Sequence, residues 1–260
     1  MLANERQAKI AELIKRDRAV TTAELMRRFD VSIETVRRDL LILEKRELLQ
    51  RVHGGAVALG GMMPRRELAQ RIGENDAQKR ELSRTATGFI REGDTVGIDS
   101  GSTAIYLARE IRERFSSLTV ITHSLDVFNI ISENPDIKLI LAGGCFMRAS
   151  SAFYGSPVLD TLSRLHMDKV FVFPYSVSIH GGLCDNSDEL ILVQRQLIKS
   201  ADSVYVLADS SKFEKSALIK MDDANRQYTY VTDSAFPAEL KQLYKENDLR
   251  IVSCEQDIHI

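Results

Sequence analysis

The chain has 260 residues, 44% of them hydrophobic and 28% charged, and a formal net charge of −2. That length accommodates two domains with a core in each, and the composition is that of a soluble globular protein without the overall basic excess of a nucleic-acid binder. The charge is unevenly spread: residues 1–60 carry twelve Lys and Arg against nine Asp and Glu, and the remainder is left at −5, which describes a basic N-terminal module on an acidic body.

The opening residues read as a charged amphipathic helix from about Asn4 to Lys15, with Ile10, Leu13 and Ile14 at helical spacing. They make neither a signal peptide nor a membrane span, so a cytoplasmic protein is expected, with no membrane partner. Thr21-Thr22-Ala23-Glu24 has the form of a capping box. It precedes a second helix whose buried side is Ala23, Leu25, Met26 and Phe29 and which ends near Asp30. Ser32 is the N-cap expected for a third helix, with Val36, Leu40, Leu43 and Leu48 along one side and Ile33, Leu41 and Ile42 widening the stripe.

A short helix, a tight connection and a helix opening on Ser32, Glu34, Thr35, Arg37 and Arg38 form a helix-turn-helix pattern. A helix N-terminus favours phosphate, hydroxyls bond phosphate or base edges, and arginine bonds guanine O6 and N7 together. Taken alone, Arg37-Arg38 fits a solvated face equally well. The continuation favours DNA. Leu48 to His53 alternates as a strand, Gly54-Gly55 supplies a hairpin turn, and Ala56 to Leu59 returns, which makes a wing. Arg51 and His53 would then approach the backbone or minor groove, with Gly54 and Gly55 admitting the phosphates closely and Thr22 as a further DNA contact.

At this point "RQAKIAELI", "SIETVRRDL" and "RVHGGA" resemble the winged N-terminal domain of DeoR-family bacterial transcription regulators, from Arg6 through Ala56. Glu47 stands where that family usually ends the third helix on glycine. The domains expected are residues 1–59 for DNA binding, 60–75 as linker, and 76–260 for effector sensing and oligomerisation.

Glu67 to Arg91 reads as linker plus a first sensor helix. Beyond it, short apolar runs alternate with helical segments ("DTVGID", "LTVITH", "IKLILAGG", "KVFVF", "SVYVLAD", "YTYVTD", "LRIVS"), the pattern of an α/β domain with a largely parallel sheet and helices on both faces. Ligands of such sheets sit beyond the carboxyl ends of the strands. The residues there are Asp99-Ser100-Gly101-Ser102-Thr103, Thr122-His123-Ser124, Gly143-Gly144 and Asp209-Ser210-Ser211-Lys212. Hydroxyls, helix-start amides and a lysine suit an anion such as a sugar phosphate, and four strand ends are expected to converge on one pocket. Each loop by itself is more often a plain structural turn.

Together "DSGST", "THS", "AGG" and "LADSSKF" resemble the sensor domain of the same family, which implies a fold like ribose-5-phosphate isomerase and a phosphorylated sugar or related metabolite as effector. Two departures bear on the pocket. Phe173-Pro174-Tyr175-Ser176 replaces a Gly-Ala-x-Gly loop, and a usual Glu falls on Leu190, leaving Glu189 one residue out of register. A smaller or reshaped pocket with Tyr175 beside it is expected, and an effector that is atypical or lost. Other constellations carry less. Cys145, Cys184 and Cys254 are widely spaced free thiols, His123, His166 and His180 lack metal spacing, Ser100 has no GxSxG around it, and Asp185, Asp188 and Glu189 read as a solvated helix start.

No cofactor, metal or catalytic residue is expected. The leading expectation is a sequence-specific regulator, a homo-oligomer (dimer or tetramer) on double-stranded operator DNA, repressing a carbohydrate operon until a phosphorylated sugar binds. The alternative is an isomerase-like enzyme with an appended reading head, using Asp99, Glu189 or Asp209 as base. A structural DNA-binding protein is a third reading, and it would not need the polar strand ends.

Overall fold

A computed structural model of the chain describes residues 3–17, 19–46, 48–52, 55–57, 68–215, 217–253 and 257. They fall into two compact units, one of residues 1–65 with 216–219 and the other of 66–215 with 220–260.

The first unit runs α1 (Ala3–Asp17), β1 (Ala19–Thr21), α2 (Thr22–Phe29), α3 (Ile33–Lys45), β2 (Gln50–Val52) and β3 (Gly55–Val57). Ile10, Ile14, Leu25, Val36, Leu40, Leu43 and Leu49 make its core. Thr21, rather than Thr22, caps α2, accepting the Glu24 N–H at 3.1 Å. Asp30 ends that helix in the left-handed region (φ 51°), a conformation its short polar side chain tolerates. Ser32 caps α3 by accepting the Thr35 N–H at 3.4 Å.

Three expectations change here. The core takes Leu49 (1% exposed) where Leu48 was expected, and Leu48 is 50% exposed. Ile33 and Leu41 do not widen the buried stripe; both lie on the surface. The sheet has three strands in the order β1-β3-β2, β1 being unforeseen, and Gly55 belongs to β3 instead of to a turn. A Cβ at Gly55 would come within 2.1 Å of the Val20 carbonyl oxygen, so close strand approach requires glycine there.

The second unit opens with α4 (Leu68–Ile72) and α5 (Asp76–Thr87). It continues through β4 (Thr95–Ile98), α6 (Ser102–Arg114), β5 (Thr119–Thr122), α7 (Leu125–Ile131), β6 (Lys138–Leu141), β7 (Cys145–Met147), β8 (Ala152–Tyr154) and α8 (Ser156–Ser163). There follow β9 (Met167–Val172), β10 (Ser176–Ser178), β11 (Gly182–Asp185), α9 (Asp188–Lys199), β12 (Ala201–Leu207), β13 (Ile219–Asp222), β14 (Thr229–Val231), α10 (Ala238–Glu246) and β15 (Arg250–Val252).

Seven of these strands form one sheet, β15-β14-β12-β9-β4-β5-β6, and every pairing in it is parallel. The chain builds outward from β4 through β6, returns to β9 beside β4, and builds outward on the other side. The order therefore reverses between β4 and β9, and the crevice at that switch point is where such sheets bind ligands. Largely buried strands read as apolar runs, and all seven carry one, the partly exposed edge strands β6 and β15 included. The smaller sheets, β7-β8 and β10-β11-β13, are additions to the expected fold; their strands stand outside the alternation of apolar run and helix that marks the parallel sheet. The polar stretch before β4 is two helices, broken at Asn75 in the left-handed region (φ 52°).

In the first unit, the buried Asp39 of α3 accepts the Arg6 Nε–H at 2.6 Å and the Gln7 amide at 2.9 Å, so α1 grips α3 through a charge-assisted pair. Removing one partner of a buried pair strands the other and costs about 3–5 kcal/mol. Asp39→Ala is expected to collapse hydrogen-exchange protection in α1 and α3 while the amides of the seven-stranded sheet keep theirs.

Candidate functional site

Two places gather the residues singled out by sequence. On α3 the turns buried against the core carry Val36, Asp39, Leu40 and Leu43, which leaves Ser32, Ile33, Glu34, Arg37, Arg38 and Leu41 exposed. Thr35 is partly buried and its hydroxyl lies 3.1 Å from that of Ser32. Glu34 holds Arg37 at 3.0 Å, an exposed pair that orients the guanidinium and adds little stability. Arg51 is exposed on β2, and its backbone N–H donates to Glu44 of α3 at 2.8 Å, tying the wing strand to the helix. Thr22 is partly buried in the first turn of α2, and Gly55 is buried under β1. His53 and Gly54 lie outside the described residues.

In the second unit the four strand ends do not open into one cavity. Asp99, Ser100, Thr122 and His123 are fully buried, and Ser102, Thr103 and Ser124 nearly so. Thr122 donates its hydroxyl to the Ile98 carbonyl at 2.8 Å, and Ser124 caps α7 through the Val127 N–H at 3.4 Å; these hydroxyls are committed to the fold. Gly143 and Gly144 are exposed. A Cβ at Gly144 would stand 2.5 Å from the Tyr154 carbonyl oxygen, so the β7-β8 hairpin explains that glycine.

Asp99, at the end of β4, is the centre of a buried knot. Its Oδ1 lies 2.9 Å from His123 Nε2, and its Oδ2 accepts the Gln194 amide at 2.9 Å and the Phe173 N–H at 3.3 Å. His123 Nδ1 faces the Phe153 carbonyl at 2.8 Å. A carbonyl only accepts, so Nδ1 carries a proton.

The cavity is beside this knot, about 170 Å³, lined by Arg71, Glu74, Asn75, Lys79, Ser102, Tyr175, Asp209, Ser211, Lys212 and Lys215. Of the expected residues it gathers Ser102, Tyr175, Asp209 and Lys212. Gly101 is buried and is not among its lining residues. Asn75 donates to Asp209 at 3.1 Å and to Ser211 at 3.2 Å, binding the α4–α5 junction to the end of β12. Lys79, 2% exposed, donates to the Arg71 carbonyl; burial pulls its pKa down, with Asp209 opposing. Lys212 donates to the Pro174 carbonyl at 3.1 Å, and burial lowers its pKa to about 8 against the pull of Asp209.

The atypical 173–176 segment thus divides. Phe173 enters the core, Tyr175 edges the cavity, and Pro174 supplies the carbonyl for Lys212. Leu190 is fully buried, and Glu189 accepts the Ser187 hydroxyl at 3.0 Å within its own helix start. Arg71, Glu74 and Asn75 fall in the stretch whose polarity reads as linker and Lys79 in the first sensor helix, so sequence singles out none of them; Gly73 before Glu74-Asn75 is the turn signal that shows the chain folding back.

A larger groove of about 500 Å³ along α10 and β15, lined by Lys241, Lys245, Leu249 and Ile251 among others, gathers none of the singled-out residues. Among the described residues no group of three His, Cys, Asp or Glu is placed to hold a metal ion, and no helix is long and apolar enough to cross a membrane.

Two domain families match the chain: the DeoR-like helix-turn-helix domain over residues 6–60 and the DeoR C terminal sensor domain over residues 74–234. An uncharacterized HTH-type transcriptional regulator, YulB, of Bacillus subtilis (strain 168) is 32% identical over 247 residues, covering 94% of each chain. The lactose phosphotransferase system repressor of Lactococcus lactis subsp. lactis is 32% identical over 236 residues, covering 90% of this chain and 92% of its own. Among solved structures, ribose 5-phosphate isomerase a of Methanocaldococcus jannaschii is similar over 54% of this chain and 55% of its own, at 20% identity and a TM-score of 0.41.

The knot predicts its own stability test. Asp99→Ala leaves a buried histidine, a side-chain amide and a backbone N–H without their acceptor, a loss of about 3–5 kcal/mol. A clear fall in the thermal midpoint of the full chain is the expected result.

Proposed function

Because the chain belongs to the DeoR family of transcriptional regulators, we propose that it binds operator DNA through α3 and the β2-β3 wing and represses a carbohydrate operon until a small phosphorylated metabolite occupies the cavity beside Asp209. The observation that carries the effector reading is the charge of that cavity: Arg71, Lys79, Lys212 and Lys215 face Glu74 and Asp209. Four cations against two carboxylates suit a phosphate monoester, which carries about −1.5 to −2 at pH 7. The volume, about 170 Å³, is below the roughly 300–1,000 Å³ of sites for drug-sized ligands. It favours a compact sugar phosphate.

The buried hydroxyls of Ser100, Thr103 and Ser176 and the Oε1 of Gln194 have no hydrogen-bond partner among the described residues. Such atoms are unusual in a settled fold, and none of the four residues lines the cavity. An effector changes DNA affinity only through unequal affinity for two states. The α4–α5 junction, which lines the cavity and lies at the start of the sensor unit, is the segment an effector would grip.

The isomerase alternative is disfavoured by its candidate bases. Asp99 is buried and already accepts from two donors besides contacting His123, Asp209 is engaged by Asn75 and Ser211, and Glu189 faces Ser187. We therefore read the chain as a non-enzymatic cytoplasmic regulator. It acts as at least a dimer, since two heads on repeated half-sites raise affinity through effective concentration.

Two measurements test this. On an operator selected from randomised duplexes by the full chain, Arg37→Ala or Arg38→Ala is expected to lose about 1–3 kcal/mol if the side chain reads a base. Unchanged binding in both would return α3 to a solvated face. For the cavity, Lys212→Met is expected to weaken phosphate-ester binding at least tenfold in a titration of the full chain. In the wild type, affinity should be highest between about pH 6, where the ester becomes dianionic, and pH 8, then fall as pH rises through 8 and Lys212 loses its charge. A flat profile across pH 8 would remove Lys212 from the site.

A further inference from the structure

At 3.6 residues per turn, Ile33, Arg37 and Leu41 form one row along α3, flanking the buried face of Val36, Leu40 and Leu43. Ile33 is 40% and Leu41 39% exposed, whereas Val36, Leu40 and Leu43 are 2% or less. Arg37 stands between the two aliphatic side chains, held by Glu34 at 3.0 Å. Ile33 is the first residue after the Ser32 cap, and the N-terminal residues of a recognition helix are those that reach base edges in the major groove. A branched aliphatic side chain there finds one apolar feature among the base edges, the C5-methyl of thymine.

Resting on the DNA-reading role proposed for α3, we propose that Ile33 is a specificity-determining residue that packs on the C5-methyl of one thymine in each half-site, beside the base pair read by Arg37. The surrounding charge commits the face to nucleic acid. Arg37, Arg38 and Lys45 are exposed on the same helix against one exposed carboxylate, Glu34, so the face is net basic and a second copy of this chain would meet like charge there.

The test removes the methyl from the DNA and the side chain from the protein. The full chain is used to select an operator from randomised duplexes, and each thymine of that operator is replaced in turn by deoxyuridine, which lacks only the C5-methyl. Wild type and Ile33→Ala are titrated against each duplex at one fixed salt concentration. Ile33 is exposed, and alanine is a stronger helix former, so the variant keeps its fold, checked by circular dichroism. The wild type is expected to bind about fourfold more weakly to one uracil position per half-site, the worth of one buried methyl. Ile33→Ala is expected to lose a similar factor on the thymine operator and to be indifferent to uracil at that position. A wild type indifferent to uracil at every position, or an Ile33→Ala variant that keeps the full uracil penalty, overturns the assignment while leaving DNA reading by α3 intact. A selection that returns no preferred sequence overturns both.

Discussion

The sensor unit is organised around one buried carboxylate. Asp99 ends β4 at the point where the order of the parallel sheet reverses, and its two oxygens gather the β5 end through His123, the β9 end through the Phe173 N–H, and α9 through Gln194. His123 passes the tie on to β8 through the Phe153 carbonyl. A polar group with no exposure is tolerable only when its hydrogen bonds are met. Meeting them sets the positions of the loops at the switch point. The cavity owes its place to this: once the β4 and β5 ends are committed to the knot, the open polar space lies toward the β12 end, where Asp209 and Lys212 meet the α4–α5 junction.

The first unit solves a related problem on one helix. Residues 36, 39, 40 and 43 of α3 face inward, and Asp39 is anchored to α1 through Arg6 and Gln7. Residues 33, 34, 37, 38 and 41 face outward. The adjacent Arg38 and Asp39 therefore do opposite things, one exposed and one gripped in the core, because one step along a helix turns the side chain by about 100°. The buried pair fixes the orientation of the helix, and that orientation determines which side chains a groove of DNA would meet. The wing is held to the same helix by Glu44 and the Arg51 N–H, so the wing strand and α3 share one frame.

Much of this was legible in the residues themselves. The Ser32 cap, the helical spacing of Val36, Leu40 and Leu43, and the seven apolar runs of the parallel sheet are local patterns, and local patterns survive without knowledge of the partners. β1 and the β7-β8 and β10-β11 hairpins are not legible because they stand outside the alternation of apolar run and helix that exposes the equally short β14 and β15. Of the candidate effector residues, Ser102, Tyr175, Asp209 and Lys212 reach the cavity. Arg71 and Asn75 join them from a stretch whose polarity reads as linker, and Lys79 from the first sensor helix.

Sequence by itself determined the three helices of the first unit, the seven runs of the parallel sheet, the α/β alternation, the helix-turn-helix with its wing, and the family resemblance, since each rests on residues close together along the chain. Only the tertiary structure decided that Leu49 rather than Leu48 is buried, that Gly55 serves strand packing, that Asp99 and His123 are a sealed knot, and that the cations collect beside Asp209. The physical reason is that burial and hydrogen-bond partnership belong to pairs of distant residues. Asp99 and Gln194 are 95 positions apart, and no local pattern announces that one will find the other.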